Sequence, residues 1–123
     1  MDDPRRLLPL TPQQFHILLA LTDGQLHGYA ILQDVAGRTD GTLRMGTGTL
    51  YTALARLEAL ELVTEADRRP AAANDDERRR YYTLTAAGRA VLQAETARLD
   101  ALVRQARRKG ITPAQRPILS RTK

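Results

Sequence analysis

A mainly α-helical domain with a small β-hairpin is what this sequence predicts, and three observations carry the prediction. Leu50, Leu54 and Leu57 recur at helical spacing behind a Gly-Thr-Gly-Thr entry. Two β-prone runs, Leu62 to Arg68 and Arg79 to Leu84, flank a long polar segment. The stretch from Ala86 to Lys109, opened by Thr85 and closed by Gly110, has the caps and the apolar period of a long helix.

Taken in order, Thr11-Pro12 opens the first helix, because Thr can N-cap and Pro in the first turn loses no hydrogen bond. Phe15, Leu18, Leu19 and Thr22 follow at helical spacing, with Ile17, Ala20 and Leu21 between them. A helix this apolar must be buried on several sides, and Asp23-Gly24 ends it. A second helix begins near His27-Gly28 and runs to about Arg38, with Leu32, Val35 and Ala36 on one face; Thr39-Asp40-Gly41 turns the chain. Thr42 to Met45 is a small strand or an extended linker. The third helix covers about 48–60: Leu50, Leu54 and Leu57 form its core stripe, while Thr49, Thr52, Ala53 and Arg56 share another side. The two strands then form a hairpin whose tip is Arg69 to Arg78, and such a hairpin has to pack on the helices.

The last helix spans about 24 residues, or about 36 Å at 1.5 Å per residue. Leu92, Leu99, Leu102 and Ala106 are spaced 7, 3 and 4, a heptad seam with Val91 and Val103 beside it. A helix longer than its own globular body needs a partner, and the same helix of a second copy can supply one. The dimer contacts expected are Leu18, Leu92, Leu99, Leu102, Val103 and Ala106. This divides the chain into a domain over 1–85, a dimerisation helix over 86–110 and a basic flexible tail over 111–123, broken by Pro113 and Pro117.

Composition narrows the function classes. The 123 residues are 42% hydrophobic and 27% charged, which suits one folded domain. The net charge of +5 is unevenly spread: residues 1–40 sum to −2, 41–84 to 0 and 85–123 to +7. Zero Cys excludes disulfides, thiolate zinc and a cysteine nucleophile. The start, Met1-Asp2-Asp3-Pro4, lacks a secretory apolar region, no run is long enough to span a bilayer, and a soluble cytoplasmic protein without membrane contact is expected. His16 and His27 are isolated, so no metal site is expected, and Asp75-Asp76-Glu77 beside three Arg reads as a solvated tip. Ser120 is the only serine and lies in the tail, so no catalytic constellation and no cofactor are expected.

Helix, helix, short strand, helix, strand, loop, strand is the layout of a winged helix-turn-helix, in which the second helix of the pair enters the major groove of duplex DNA. That places Thr47, Gly48, Thr49, Tyr51, Thr52 and Arg56 at the reading face. Glycines let a phosphate approach the backbone, and hydroxyls donate to phosphate oxygens. Alternatives stay open at several of these positions. The threonines could serve as caps, Tyr51 could enter the core, and Arg56 could pair with Glu58 or Glu61. Arg78, Arg79 and Arg80 either reach the DNA from the wing or neutralise Asp75, Asp76 and Glu77. Tyr82 and Leu84 share the core face of their strand, and Tyr81 faces the other way. A winged-helix module that dimerises and binds a protein without reading DNA is the alternative function.

Leu10-Thr11-Pro12, Leu26-His27-Gly28-Tyr29-Ala30-Ile31, Gly48-Thr49-Leu50-Tyr51, Leu54, Arg56-Leu57-Glu58, Leu62-Val63 and Arg79-Arg80-Tyr81-Tyr82-Thr83-Leu84-Thr85-Ala86-Ala87-Gly88-Arg89 occur in order and with matching spacing. In this the chain, over about 7–105, resembles the PadR-like transcriptional regulators. The resemblance implies a bacterial homodimer that represses genes through a winged helix-turn-helix and a C-terminal dimerisation helix. Two reading helices, one per subunit, are expected to enter successive major grooves of a pseudo-palindromic operator. Because some members respond to phenolic acids, antibiotics or other planar hydrophobic compounds, the resemblance also implies a small-molecule effector of unknown identity. The chain departs from the family pattern at Met45-Gly46, and it has no Trp.

Overall fold

Thr11 caps the first helix by the expected mechanism. Its Oγ1 accepts the Gln14 amide at 3.0 Å, and the Gln14 side chain accepts the Thr11 amide at 3.0 Å, a complete capping box ahead of α1 (Pro12–Ala20). A computed structural model of the chain describes residues 3–66 and 80–114. Before α1 lies a short 3-10 turn, Pro4–Leu7, that no periodicity in the sequence announces. After it come β1 (Leu26–His27), α2 (Gly28–Arg38), α3 (Thr47–Ala59), β2 (Val63–Glu65), β3 (Tyr81–Leu84) and α4 (Ala86–Arg108).

The sheet has three antiparallel strands in the order β1-β3-β2, not the two of a simple hairpin. Leu26 pairs with Tyr82 and His27 with Tyr81, while Val63 pairs with Leu84 and Glu65 with Tyr82. The small strand therefore precedes α2. Thr42 to Met45, expected as strand or linker, is irregular chain. Tyr82 enters the core as expected. Tyr81 is buried too, its ring edge-on to His27 with centroids 5.3 Å apart.

One core joins all the helices and the sheet. Ile17, Leu18 and Leu21 meet Ile31 and Val35, the Leu50/Leu54/Leu57 stripe, Leu62, Tyr82, Val91 and Leu92. Burying each such side chain contributes roughly 1.5–3 kcal/mol against the entropy of ordering it. Leu18 and Leu92 were expected at a dimer seam; they are 0% and 6% exposed inside this core, so neither is available to a second copy.

The start of α4 is bolted to the turn between α3 and β2. Thr85 Oγ1 donates to the Glu61 carbonyl at 2.7 Å and accepts the Gly88 amide at 2.9 Å, and the Thr85 amide donates to the Leu62 carbonyl at 3.1 Å. A Cβ on Gly88 would stand 2.1 Å from the Leu62 oxygen, so only glycine permits this approach. Further along α4, Glu95 is 2% exposed. Its carboxylate accepts the Leu10 amide at 3.1 Å and Arg98 at 2.6 and 2.9 Å. The Arg98 contact, reinforced by that amide and opposed by burial, holds the Glu95 carboxyl below its ordinary pKa. At the far end Gly110, at φ 87°, lets the Ile111 amide return to the Ala106 carbonyl at 2.9 Å and closes the helix. No helix among the described residues is long and apolar enough to cross a membrane.

Candidate nucleic-acid interface

The face of α3 opposite its leucine stripe is open. Thr47, Gly48, Thr49, Tyr51, Thr52 and Arg56 are all exposed, while Leu50, Leu54 and Leu57 are sealed in the core. Gly46 is the N-cap and supplies no side-chain hydrogen bond, so the first-turn amides of the helix point outward without a side-chain cap. A Cβ on Gly46 or Gly48 would meet no atom within 4 Å. Packing among the described residues therefore gives no reason for glycine at either place. Thr47, Thr49 and Thr52 make no cap for α3, and Arg56 makes no ion pair with Glu58 or Glu61 among the described residues.

Tyr51 is braced against the start of α2 instead of entering the core. A Cβ on Gly28 would lie 2.2 Å from the Tyr51 hydroxyl oxygen, so Gly28 makes room for it. The neighbouring His27 caps α2, its Nδ1 accepting the Ala30 amide at 3.3 Å. His16 is engaged elsewhere: Arg38 donates to its Nδ1 at 3.1 Å and to its carbonyl at 3.0 Å, and burial, with the Arg38 charge, lowers its pKa. Its imidazole is accordingly neutral at pH 7, as an acceptor Nδ1 requires.

At the wing, Arg80 is occupied. Its Nε donates to Glu65 across the strands at 2.5 Å, and its guanidinium lies 5.9 Å from the Tyr82 ring centroid. Arg78, Arg79 and the acidic run 75–77 lie outside the described residues. A shallow groove separates α3 from the first turn of α1. Thr11, Gln13 and Gln14 line one bank and Thr49, Thr52 and Arg56 the other.

With this geometry in hand, comparison with known proteins assigns the chain to a family. The model of the Transcriptional regulator PadR-like family matches residues 17–94. The chain belongs to the PadR-like family. It is 35% identical over 92 residues to the transcriptional regulator Rv3488 of Mycobacterium tuberculosis, covering 75% of this chain and 79% of that one. It is 43% identical over 85 residues to an uncharacterized 37.1 kDa protein in a transposon of Streptomyces fradiae, a match over 67% of this chain but only 21% of that longer protein. Its fold is shared with Bacillus subtilis PadR in complex with operator DNA, at a TM-score of 0.57 and 23% identity, covering 74% of this chain and 47% of that one. The chain is thus a transcriptional regulator of the PadR-like family with a winged-helix fold.

Within this PadR-like frame, sequence reasoning placed the α3 face and missed the opposite bank of the groove. Thr11 read as a cap, which it is; that Gln14 completes the capping box and that the cap stands beside α3 appear only in the structure. Tyr29, at 65% exposure on the first turn of α2, is a further aromatic that periodicity did not single out. On α4 the apolar seam splits. Its first half is core, whereas Leu99, Leu102 and Val103 are 38%, 46% and 44% exposed, with Ala106 half-buried beside them. The charged residues around them include Arg104, which is paired with Asp100 one turn before it.

Proposed function

We propose that the chain is a homodimeric, sequence-specific repressor acting on duplex DNA in the cytoplasm. One copy of α3 from each protomer enters successive major grooves of a pseudo-palindromic operator, about one helical turn apart. Thr47, Gly48, Thr49 and Thr52 meet bases and phosphates, Arg56 takes a phosphate, and Tyr51 braces the start of α2 while presenting its ring edge to the backbone. With Arg80 held by Glu65, the wing contact falls to Arg78 and Arg79. The observation that carries this reading is the open α3 face, whose Gly46 and Gly48 have no packing partner among the described residues. A backbone phosphate that must come close to the helix start supplies the missing reason for them.

The second protomer is needed because Leu99, Leu102, Val103 and Ala106 leave the distal half of α4 apolar and uncovered. Pairing of two such helices fixes the distance between the reading heads. An effector fits the cleft where the Pro4–Leu7 turn, the end of α3 and the start of α4 meet, lined by Leu7, Leu60, Leu62 and Val91 with Arg6 and Glu61. An occupant there shifts the head against α4 as a rigid body and changes operator spacing. The check on that cleft is a small planar compound that lowers operator affinity in the parent chain and loses its effect in Leu7→Glu. For DNA reading itself, the experiment is a fluorescence-anisotropy titration against the gene's own upstream region and a scrambled duplex, over a salt series. A clear preference for the upstream region, with log affinity falling linearly in log salt, is expected; equal affinity for both duplexes removes sequence-specific reading.

A further inference from the structure

We infer that the first turn of α1 is a second DNA contact, and that the groove between it and α3 seats a backbone phosphate of the same duplex. The inference rests on the DNA-reading role proposed above and extends it to residues on another helix. The groove is lined by hydrogen-bond donors: Thr11, Gln13 and Gln14 face Thr49, Thr52 and Arg56, and the remaining wall is Gly48 and Ala53. Among the described residues no carboxylate lines it. A phosphodiester is its chemical complement, since it carries one negative charge and only acceptor oxygens.

The capping box fixes two of these donors in direction. The Gln14 carboxamide oxygen is held on the Thr11 amide at 3.0 Å, which fixes the plane of the side chain and leaves its NH₂ hydrogens to donate outward. Thr11 Oγ1 accepts the Gln14 amide at 3.0 Å, which leaves the hydroxyl hydrogen free to donate. The Gln13 side chain beside them has no hydrogen bond to the described residues, and across the groove Arg56 has no ion pair among them. A groove this open would leave a free phosphate ion largely in water, whereas a duplex docked on α3 brings its backbone into the groove without further cost. The α1 contact is a backbone contact, so it sets register and affinity without reading sequence.

The test is Gln14→Glu, a change that separates folding from binding. Glutamate serves a capping box as well as glutamine does, and its charge suits a helix start, so thermal stability should be unchanged or slightly higher. It replaces an NH₂ donor by a carboxylate facing the phosphate. Binding to operator and to scrambled duplex should therefore weaken together, each by about tenfold or more, with their ratio preserved. Gln13→Glu, outside the capping box, should act in the same direction and guards against a folding effect. If both variants bind as the parent does while Arg56→Ala binds weakly, the α1 contact is overturned and α3 still reads DNA. If Arg56→Ala and Thr49→Ala also bind as the parent does, the α3 reading fails with it. A changed operator-to-scrambled ratio in Gln14→Glu overturns the backbone assignment, because it marks a base contact.

Discussion

Two faces of this molecule lie open, on α3 and on the distal half of α4, and they are made of opposite materials. The α3 face carries hydroxyls, glycine and one guanidinium, and within α3 the charge of Arg56 is balanced by Glu58. The α4 face carries Leu99, Leu102 and Val103, in the section of the chain where the surplus of +7 lies. The excess charge is therefore not on α3, the helix proposed to read. In the function proposed above, recognition by α3 would come from a few donors held in place, whereas the surplus beyond residue 84 would supply long-range, salt-sensitive attraction. The apolar face is where the proposed homodimer would join a second copy of the chain, and with it a second reading head.

The largest expected effect attacks the apolar face. Leu99→Asp with Leu102→Asp puts like charges at the proposed seam between two copies, while both side chains stay outside the subunit core. Sedimentation should find monomers with a melting curve close to that of one intact subunit. Operator affinity should fall by about two decades or more, because one half-site loses the effective concentration the other provides. Dimers that persist would move the interface away from α4.

A pair of glycine changes sharpens the comparison next. Gly88→Ala forces a methyl against the Leu62 carbonyl at the α4 junction and should lower stability by about 1–3 kcal/mol, read by thermal or urea unfolding. Gly48→Ala meets open space, so it should leave folding intact or improve it by up to about 1 kcal/mol through helix propensity. Its cost should appear only in DNA affinity. A Gly48→Ala chain that binds operator normally would mean that no phosphate comes close to the start of α3.

Much of this was legible in the sequence because the signals are local. Thr11-Pro12 and Thr85 cap where they should, the Leu50/Leu54/Leu57 stripe faces inward, and Gly110 closes α4. The misses are tertiary. Two residues, Leu26 and His27, cannot show alternation, and they form a strand only because Tyr81 and Tyr82 pair with them from far along the chain. The seam from Leu92 to Ala106 has one spacing throughout, yet Leu92 lies against the body and Leu99 lies beyond it; periodicity cannot say where the body ends. Leu18 was misassigned for a similar reason, since an apolar residue on an apolar helix fits a core and an interface equally well.

A smaller effect concerns pH. The Glu95 carboxyl has a folded pKa below its ordinary value, held there first by Arg98. Its contribution is fully present above the ordinary carboxylate pKa and is lost as pH falls through the lowered one. Stability measured by urea unfolding should therefore decline on acidification below about pH 5. Glu95→Gln should flatten part of that decline and lower stability at pH 7 by about 1–3 kcal/mol, because it leaves Arg98 without its partner and weakens the hold on Leu10. An unchanged pH profile would show that the carboxylate does not tie the chain before α1 to α4.

The most direct measurement of the central claim, that α3 reads sequence by placed donors and not by charge, is the operator-to-scrambled affinity ratio of Thr49→Ala beside the parent chain. Thr49→Ala removes no charge, so the salt dependence should stay as it is while the ratio falls by about tenfold. A ratio that stays at the parent value, with binding governed by salt alone, would contradict the account.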